Sequence, residues 1–212
     1  MAEYGNNSYW DDRYENDPEP FDWYQRYNEL KDILNENAPK ESQVLVIGCG
    51  NSSLSKDMVS DGYELIMNID ISKVVIDQMI LRHEKDLNLK WKCMDALKMD
   101  FENESFQTVI DKGTLDSIMC GDNASTNSLD MCMEINRVLK PGGKYIVITY
   151  GTPDTRLITL QNNSLDWHVT MKTVQKPYVE DSPTEDSTDE IPSTHYIYIC
   201  HKAGKKDDER KS

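Results

Sequence analysis

Two glycines and a short series of acids occupy the positions where this chain could most easily do chemistry. The apolar run 44–47 stops at Gly48-Cys49-Gly50-Asn51, and a helix-compatible stretch, 53–60, follows. A strand that ends in Gly-x-Gly before a helix can bring backbone N–H groups close to a ligand. A purely structural βα turn uses glycine in the same way. Asp70 ends the next apolar run, 22 residues beyond Gly48. A carboxylate there can accept both hydroxyls of a ribose, and capping the helix that begins near Ser72 is the other role open to it. Asp95 and Ala96 follow a third run, in CMDA, where an acid can accept an adenine amino group and a backbone group can flank it. Asp111 and Lys112 follow a fourth run, and Asp116 lies just beyond.

Only a sheet whose strands all end on one side can gather these positions. The spacing predicts a helix over 23–37, with Tyr27, Leu30, Ile33 and Leu34 on one face and Pro39 as its stop. Strands are expected at 44–47, 64–69, 89–94, 106–110 and 144–150. Helices are expected at 53–60, at 72–84 with Val75, Met79 and Ile80 inward, and at 128–139, which ends at Pro141-Gly142-Gly143. Strands alternating with helices of this length imply right-handed crossovers and a mostly parallel sheet. The segments 167–173 and 195–200 alternate as strands with no helix between them, which predicts an antiparallel hairpin at the sheet edge. Their connection, 180–190, holds six acids and no base and reads as a solvated loop. The expected organisation is an aromatic lid segment (1–22), one α/β domain (23–202) and a charged tail (203–212).

Composition narrows the function classes. The chain has 212 residues and a formal charge of −15. That charge opposes binding to a phosphate backbone and favours a basic protein partner. No span suits a membrane, and the polar, acidic start resembles no targeting segment, so the expected location is cytoplasmic. Five cysteines without a C-x-x-C and four histidines without ligand spacing predict no metal site and reduced, buried thiols. Eight of the 18 aromatic residues lie in the first 27 positions, among acids and asparagines that cannot form a core alone. Such rings must pack onto something. They can staple the first helix to the sheet, or they can face a cation, which an aromatic face attracts by about 0.5–2 kcal/mol.

Taken in order, these pieces suit an adenosine-bearing ligand. A dinucleotide such as NAD would call for a third glycine where the chain has Ser53, so S-adenosylmethionine fits better. The ordered set resembles the class I, seven-strand methyltransferases, a Rossmann-like, doubly wound, mostly parallel sheet with an antiparallel C-terminal strand. More narrowly, YWDDRY (9–14), FDWY (21–24), VLVIGCGNSSLS (44–55), DKGTLD (111–116) and YIYICHK (196–202) resemble the elongation factor 1A lysine methyltransferases. The resemblance implies that Trp10, Tyr14 and Trp23 close over the cofactor and that Gly48 lies under its methionine part, within the turn that includes Gly50 and Asn51. It also implies that Asp70 and Ile71 hold the ribose and adjoining adenine, that Asp95 and Ala96 meet the adenine edge, and that Lys112 completes the site. Common class I enzymes have an acid where this chain has Val46 and a third glycine where it has Ser52; the narrower family pattern does not need them.

The implied reaction is methyl transfer from S-adenosylmethionine to a lysine ε-amine of a basic protein, elongation factor 1A, with S-adenosylhomocysteine as product. Asp116 is the only carboxylate of DKGTLD besides Asp111 that could orient the amine; a local hydrogen bond or cap is its alternative role. Two other readings share the sequence features: a small-molecule methyltransferase of the same fold, and a non-catalytic adenosylmethionine-binding module acting through the acidic loop.

Overall fold

The computed structural model describes residues 4–177 and 194–204. The run Gln43–Ile47 forms β1, and its alternation divides the core. Val44 and Val46 face one cluster, with Leu30, Leu34, Met58 and Met79, while Leu45 and Ile47 face another, with Met131, Ile135 and Val138. A strand reads as a continuous apolar run because successive side chains point to opposite faces and both faces are covered.

The elements follow in the order α1 (Asn7–Asn16), α2 (Tyr27–Asn37), β1, α3 (Leu54–Ser60), β2 (Leu65–Asp70), α4 (Lys73–Arg82), β3 (Leu89–Cys93), β4 (Phe106–Lys112), α5 (Thr114–Ile118), α6 (Ala124–Val138), β5 (Leu139–Thr149), α7 (Pro153–Leu160), β6 (Trp167–Gln175) and β7 (Thr194–Lys202). They make one seven-stranded sheet of order β3-β2-β1-β4-β5-β7-β6. β1 to β5 pair in parallel, and β7 runs antiparallel to both β5 and β6. The fold is the expected Rossmann-like sheet with an antiparallel C-terminal strand. The chain leaves β1 towards β2 and β3 on one side and returns to β4 and β5 on the other. The crevice beyond the carboxyl ends of β1 and β4 is therefore the topological switch point where such sheets bind ligands.

Several local expectations are corrected. Ile76, not Ile80, joins Val75 and Met79 in the core, and Ile80 is 45% exposed. On a helical projection Ile76 lies about 60° from Met79 and Ile80 about 100° from it on the same side, so the face that docks on the sheet takes in Ile76 and leaves Ile80 at its margin. Ile33 is partly buried at the edge of the α2 stripe. β5 begins at Leu139, ahead of Pro141-Gly142-Gly143. Its pairing jumps from Phe106–Leu139 to Thr108–Lys144, so the Pro-Gly-Gly stretch is an irregularity inside the strand and not a turn before it. Cys49, Cys132 and Cys200 are buried as expected, but Cys93 and Cys120 are exposed.

Three helices carry no strong periodic signal. α1 has no apolar stripe of its own and lies against α4, where Gln78 Nε2 donates to the Tyr14 carbonyl at 2.9 Å. α5 has only five residues. α7 starts at Pro153, directly after Thr152, a legible start signal on a short segment. The acidic stretch 180–190 and the tail from 205 lie outside the described residues.

Candidate active site

The turn after β1 is held mainly by the protein itself. Gly48 and Gly50 have φ of +52° and +51°, a left-handed backbone suited to glycine. Cys49 donates its N–H to the Ile69 carbonyl at 3.0 Å, and Gly50 donates to Asp70 Oδ2 at 2.9 Å. These two N–H groups therefore tie β1 to β2 instead of pointing at a ligand. A Cβ at Gly48 would lie 2.1 Å from Thr114 Oγ1, and one at Gly50 would lie 2.6 Å from the Tyr14 hydroxyl. The glycines admit a close approach, but by neighbouring side chains.

Asp70 closes β2 with both oxygens engaged on one side. Oδ1 accepts the Ser72 N–H at 2.9 Å, while Ser72 itself caps α4 through its hydroxyl on the Val75 N–H. The cap is thus Ser72, and Asp70 braces the loop before it. Burial pushes the Asp70 carboxyl up to about 6, against the hydrogen bonds it accepts from Ser72, Gly50 and Ile71. A carboxylate has about four acceptor sites, so these hydrogen bonds leave acceptor capacity for a ligand. Ile71 and Ala96 sit nearby, and Asp95 accepts the Leu97 N–H at 2.9 Å through Oδ1.

The segment after α1 crosses the crevice and is strapped to it by Asp22. That carboxylate accepts from Ser52 Oγ, from Ser53 Oγ at 2.9 Å and from Lys112 Nζ at 3.0 Å. Burial alone would raise its pKa; the Lys112 ammonium and the two hydroxyls outweigh that and hold it low. Asn51 Nδ2 adds a bond to the Glu19 carbonyl, and Lys112 adds one to the Trp23 carbonyl at 3.1 Å. The strap places an aromatic wall. Trp10 stacks on Tyr14 with centroids 5.9 Å apart and donates its indole N–H to the Tyr4 carbonyl at 2.8 Å. Arg13 lies 5.2 Å from the Phe21 ring and 5.8 Å from the Trp23 ring.

The segment 111–116 forms the floor. Asp111 Oδ1 accepts the Thr114 N–H at 2.7 Å, and Oδ2 accepts the Leu115 N–H at 3.1 Å and the Tyr145 hydroxyl at 2.8 Å, so it caps α5. Gly113 turns the chain at φ +94°, and Thr114 Oγ1 donates to the Ile47 carbonyl at 3.0 Å. Asp116 forms a buried ion pair with Arg156, whose Nη2 and Nε lie 2.6 and 3.0 Å from Oδ1, and it also accepts the Thr149 hydroxyl. Its carboxylate is thereby committed to joining α5, β5 and α7.

All of these walls enclose one cavity of about 550 Å³. Trp10, Tyr14, Trp23, Gly48, Gly50, Asn51, Asp70, Ile71, Asp95, Ala96, Lys112 and Asp116 all line it. Sequence reasoning did not single out Arg13, Tyr24 or Tyr150, which line it too. Arg13 stands inside the YWDDRY motif and Tyr24 inside FDWY, so each carried a legible signal; Tyr150, 126 positions beyond Tyr24, carries none. Among the described residues, no group of three or more His, Cys, Asp or Glu is placed to hold a metal, and no helix is long and apolar enough to cross a membrane.

Comparison with known proteins agrees with this geometry. Residues 39–204 match the family described as a methyltransferase domain. The chain is 32% identical to EEF1A lysine methyltransferase 4 of Mus musculus over 175 residues, covering 78% of this chain and 69% of that protein. It is 33% identical to the eEF1A lysine and N-terminal methyltransferase of Danio rerio, over 94% of this chain but only 28% of that much longer protein. Among solved structures, an SAM-dependent methyltransferase from Methanosarcina mazei aligns with a TM-score of 0.64 over 87% of this chain and 100% of its own, at 17% identity. The [4+2]-cyclase SpnF aligns almost as well, with a TM-score of 0.63 over 87% of this chain and 84% of its own, at 16% identity. Fold likeness alone therefore does not fix the chemistry, whereas the matched family and the more similar relatives do: this chain belongs to the methyltransferase-domain family and is an S-adenosylmethionine-dependent methyltransferase.

Proposed function

We propose that this enzyme methylates a lysine ε-amine of a protein, translation elongation factor 1A, and that the cavity beyond β1 and β4 holds the donor. The observation that carries the acceptor is the 32% identity to EEF1A lysine methyltransferase 4 across 78% of this chain. The charge of −15 complements a basic target. The free thiols suit a reducing compartment, which supports work in the cytoplasm.

The residues present fit the donor. The cavity lies in the range of about 300–1,000 Å³ usual for small-molecule sites. Asp70 offers unused carboxylate lone pairs at a strand end, the position from which a ribose is gripped. Asp95 and Ala96 supply an acceptor and a small neighbour for an adenine edge. Trp10, Tyr14 and Trp23 offer aromatic surface to a sulfonium, and Arg13 offers a cation to a carboxylate. Lys112 acts through its ion pair with Asp22, fixing the strap that carries Trp23. When bound, the donor supplies a methyl group on a cationic sulfur, whose C–S electron pair leaves with the sulfur as the amine nitrogen forms its new bond. The chain's own task is orientation and exclusion of water. A lysine has a reference pKa of about 10.4 and reacts only as the neutral amine, which burial favours. The ammonium gives its proton to bulk solvent before the amine is enclosed, so no side chain is needed as a dedicated base.

The test is incubation of the enzyme with methyl-labelled S-adenosylmethionine and a cell extract. Label is expected in one basic protein, identified as elongation factor 1A by mass spectrometry. Label confined to low-molecular-weight material would instead make the enzyme a small-molecule methyltransferase.

A further inference from the structure

Beside the strap, the cavity is also lined by two tyrosines to which no donor contact was assigned above. Tyr24 has φ +64°, a conformation that residues other than Gly, Asn and Asp seldom adopt. Such a backbone persists only where its surroundings over-determine it, and these positions cluster at functional sites. Here the surroundings are specific. Gly113 leaves space for the Tyr24 ring, since a Cβ there would approach it to 3.3 Å. The next residue, Gln25, is buried and bonds to the Gln175 carbonyl at 2.7 Å and to His195 Nδ1 at 3.0 Å. The Tyr24 ring then lies 5.0 Å from His195 and 5.9 Å from Tyr150, centroid to centroid.

The Tyr24 phenol sits beside the Asp116 carboxylate, whose charge acts on it directly. A phenol beside an ionised carboxylate turns its proton towards it, which leaves the oxygen's lone pairs for another donor. Burial, with the Asp116 charge second, raises the Tyr24 pKa, so the phenol is neutral at working pH. The Arg156 guanidinium offsets the Asp116 charge at 2.6 Å, so this corner does not act as a naked carboxylate that would keep an incoming amine protonated. Tyr150, the residue after β5, is 51% exposed and lines the same cavity.

On the protein-lysine reading above, we propose that Tyr24 and Tyr150 form the receiving site for the side chain to be methylated, a primary amine on an unbranched alkyl stem. Tyr24 Oη accepts one N–H of the amine and thereby aims the nitrogen lone pair. The Tyr150 ring flanks the stem where it enters from solvent.

The test uses the full chain, methyl-labelled S-adenosylmethionine and recombinant, unmethylated elongation factor 1A. Tyr24→Phe removes a single oxygen and Tyr150→Ala trims an exposed ring, and each variant is checked by its thermal midpoint and by calorimetric donor Kd. Both are expected to keep the wild-type midpoint and donor Kd. Y24F should lose about tenfold in kcat, the factor for one lost hydrogen bond to the reacting group. Y150A should raise KM for the protein by a similar factor of about ten while leaving kcat nearly unchanged. Wild-type kinetics in both variants, or a donor Kd weakened in parallel with activity, would overturn the assignment. If the wild-type enzyme itself labels no lysine of the acceptor, the protein-lysine reading falls and this site falls with it; a wild-type enzyme that labels normally beside unaffected variants removes only the tyrosine assignment.

Discussion

The Lys112 ammonium lies 3.0 Å from Asp22 Oδ1, with both side chains under one-tenth exposed. This contact joins the end of β4 to a segment 90 residues earlier in the chain. Burial lowers the Lys112 pKa, and the charge and hydrogen bond of Asp22 oppose that shift. Removing one member of a buried pair leaves the other uncompensated, a loss of about 3–5 kcal/mol. Lys112→Met should therefore lower the urea-unfolding free energy by that order and also weaken donor binding, because Trp23 loses its anchor. An unchanged unfolding midpoint would show that the strap is held by its rings and hydroxyls alone.

Gly50→Ala sets a Cβ 2.6 Å from the Tyr14 hydroxyl at a φ of +51°. The left-handed backbone alone costs an alanine about 1–2 kcal/mol, and Tyr14 must move as well. Gly142, at φ +74° with nothing within 4 Å of its Cβ position, is the matched control. Gly142→Ala should show only the backbone cost and keep wild-type donor affinity in calorimetry, whereas Gly50→Ala should lose both stability and affinity.

Asp70→Ala should cut donor affinity by about 1–3 kcal/mol, the range for leaving polar partners unmatched. Its carboxyl titrates near 6 in the folded protein. Donor affinity is accordingly expected to fall as pH is lowered through 6, with the variant insensitive over the same range. Wild-type affinity in Asp70→Ala would remove the ribose role.

Burial pushes Asp111 up to about 7, against hydrogen bonds from Tyr145, Thr114 and Leu115 and with a further push from the Asp116 charge. Its folded pKa is above that of an unfolded chain, about 3.9, so between those values the native state binds more protons. Stability contributed by this group is thus fully present below the unfolded value and is lost as pH rises towards 7, with a slope of at most about 1.4 kcal/mol per unit. Asp111→Asn should remove that slope. Urea unfolding at pH 5 and pH 8 should show the variant gaining on the wild type as pH rises; parallel curves would contradict it.

What sequence determines here is what depends on near neighbours. β1 was legible because four apolar residues buried on both faces are contiguous, and the glycines after it because a left-handed turn demands them. Asp70, Asp95 and Lys112 were legible because strand ends in a parallel sheet fall on one side. The aromatic opening announced that it must pack onto something, since its acids and asparagines form no core. Tertiary structure alone decided what those groups touch. That the turn N–H groups of Cys49 and Gly50 bind β2, that Asp116 is held by Arg156 forty positions on, and that Tyr24 meets Tyr150 at the cavity mouth all depend on contacts across the sheet. Such contacts leave no period in the chain, because each is made by one residue from one element, and only the packing of whole helices on the sheet sets which residue that is.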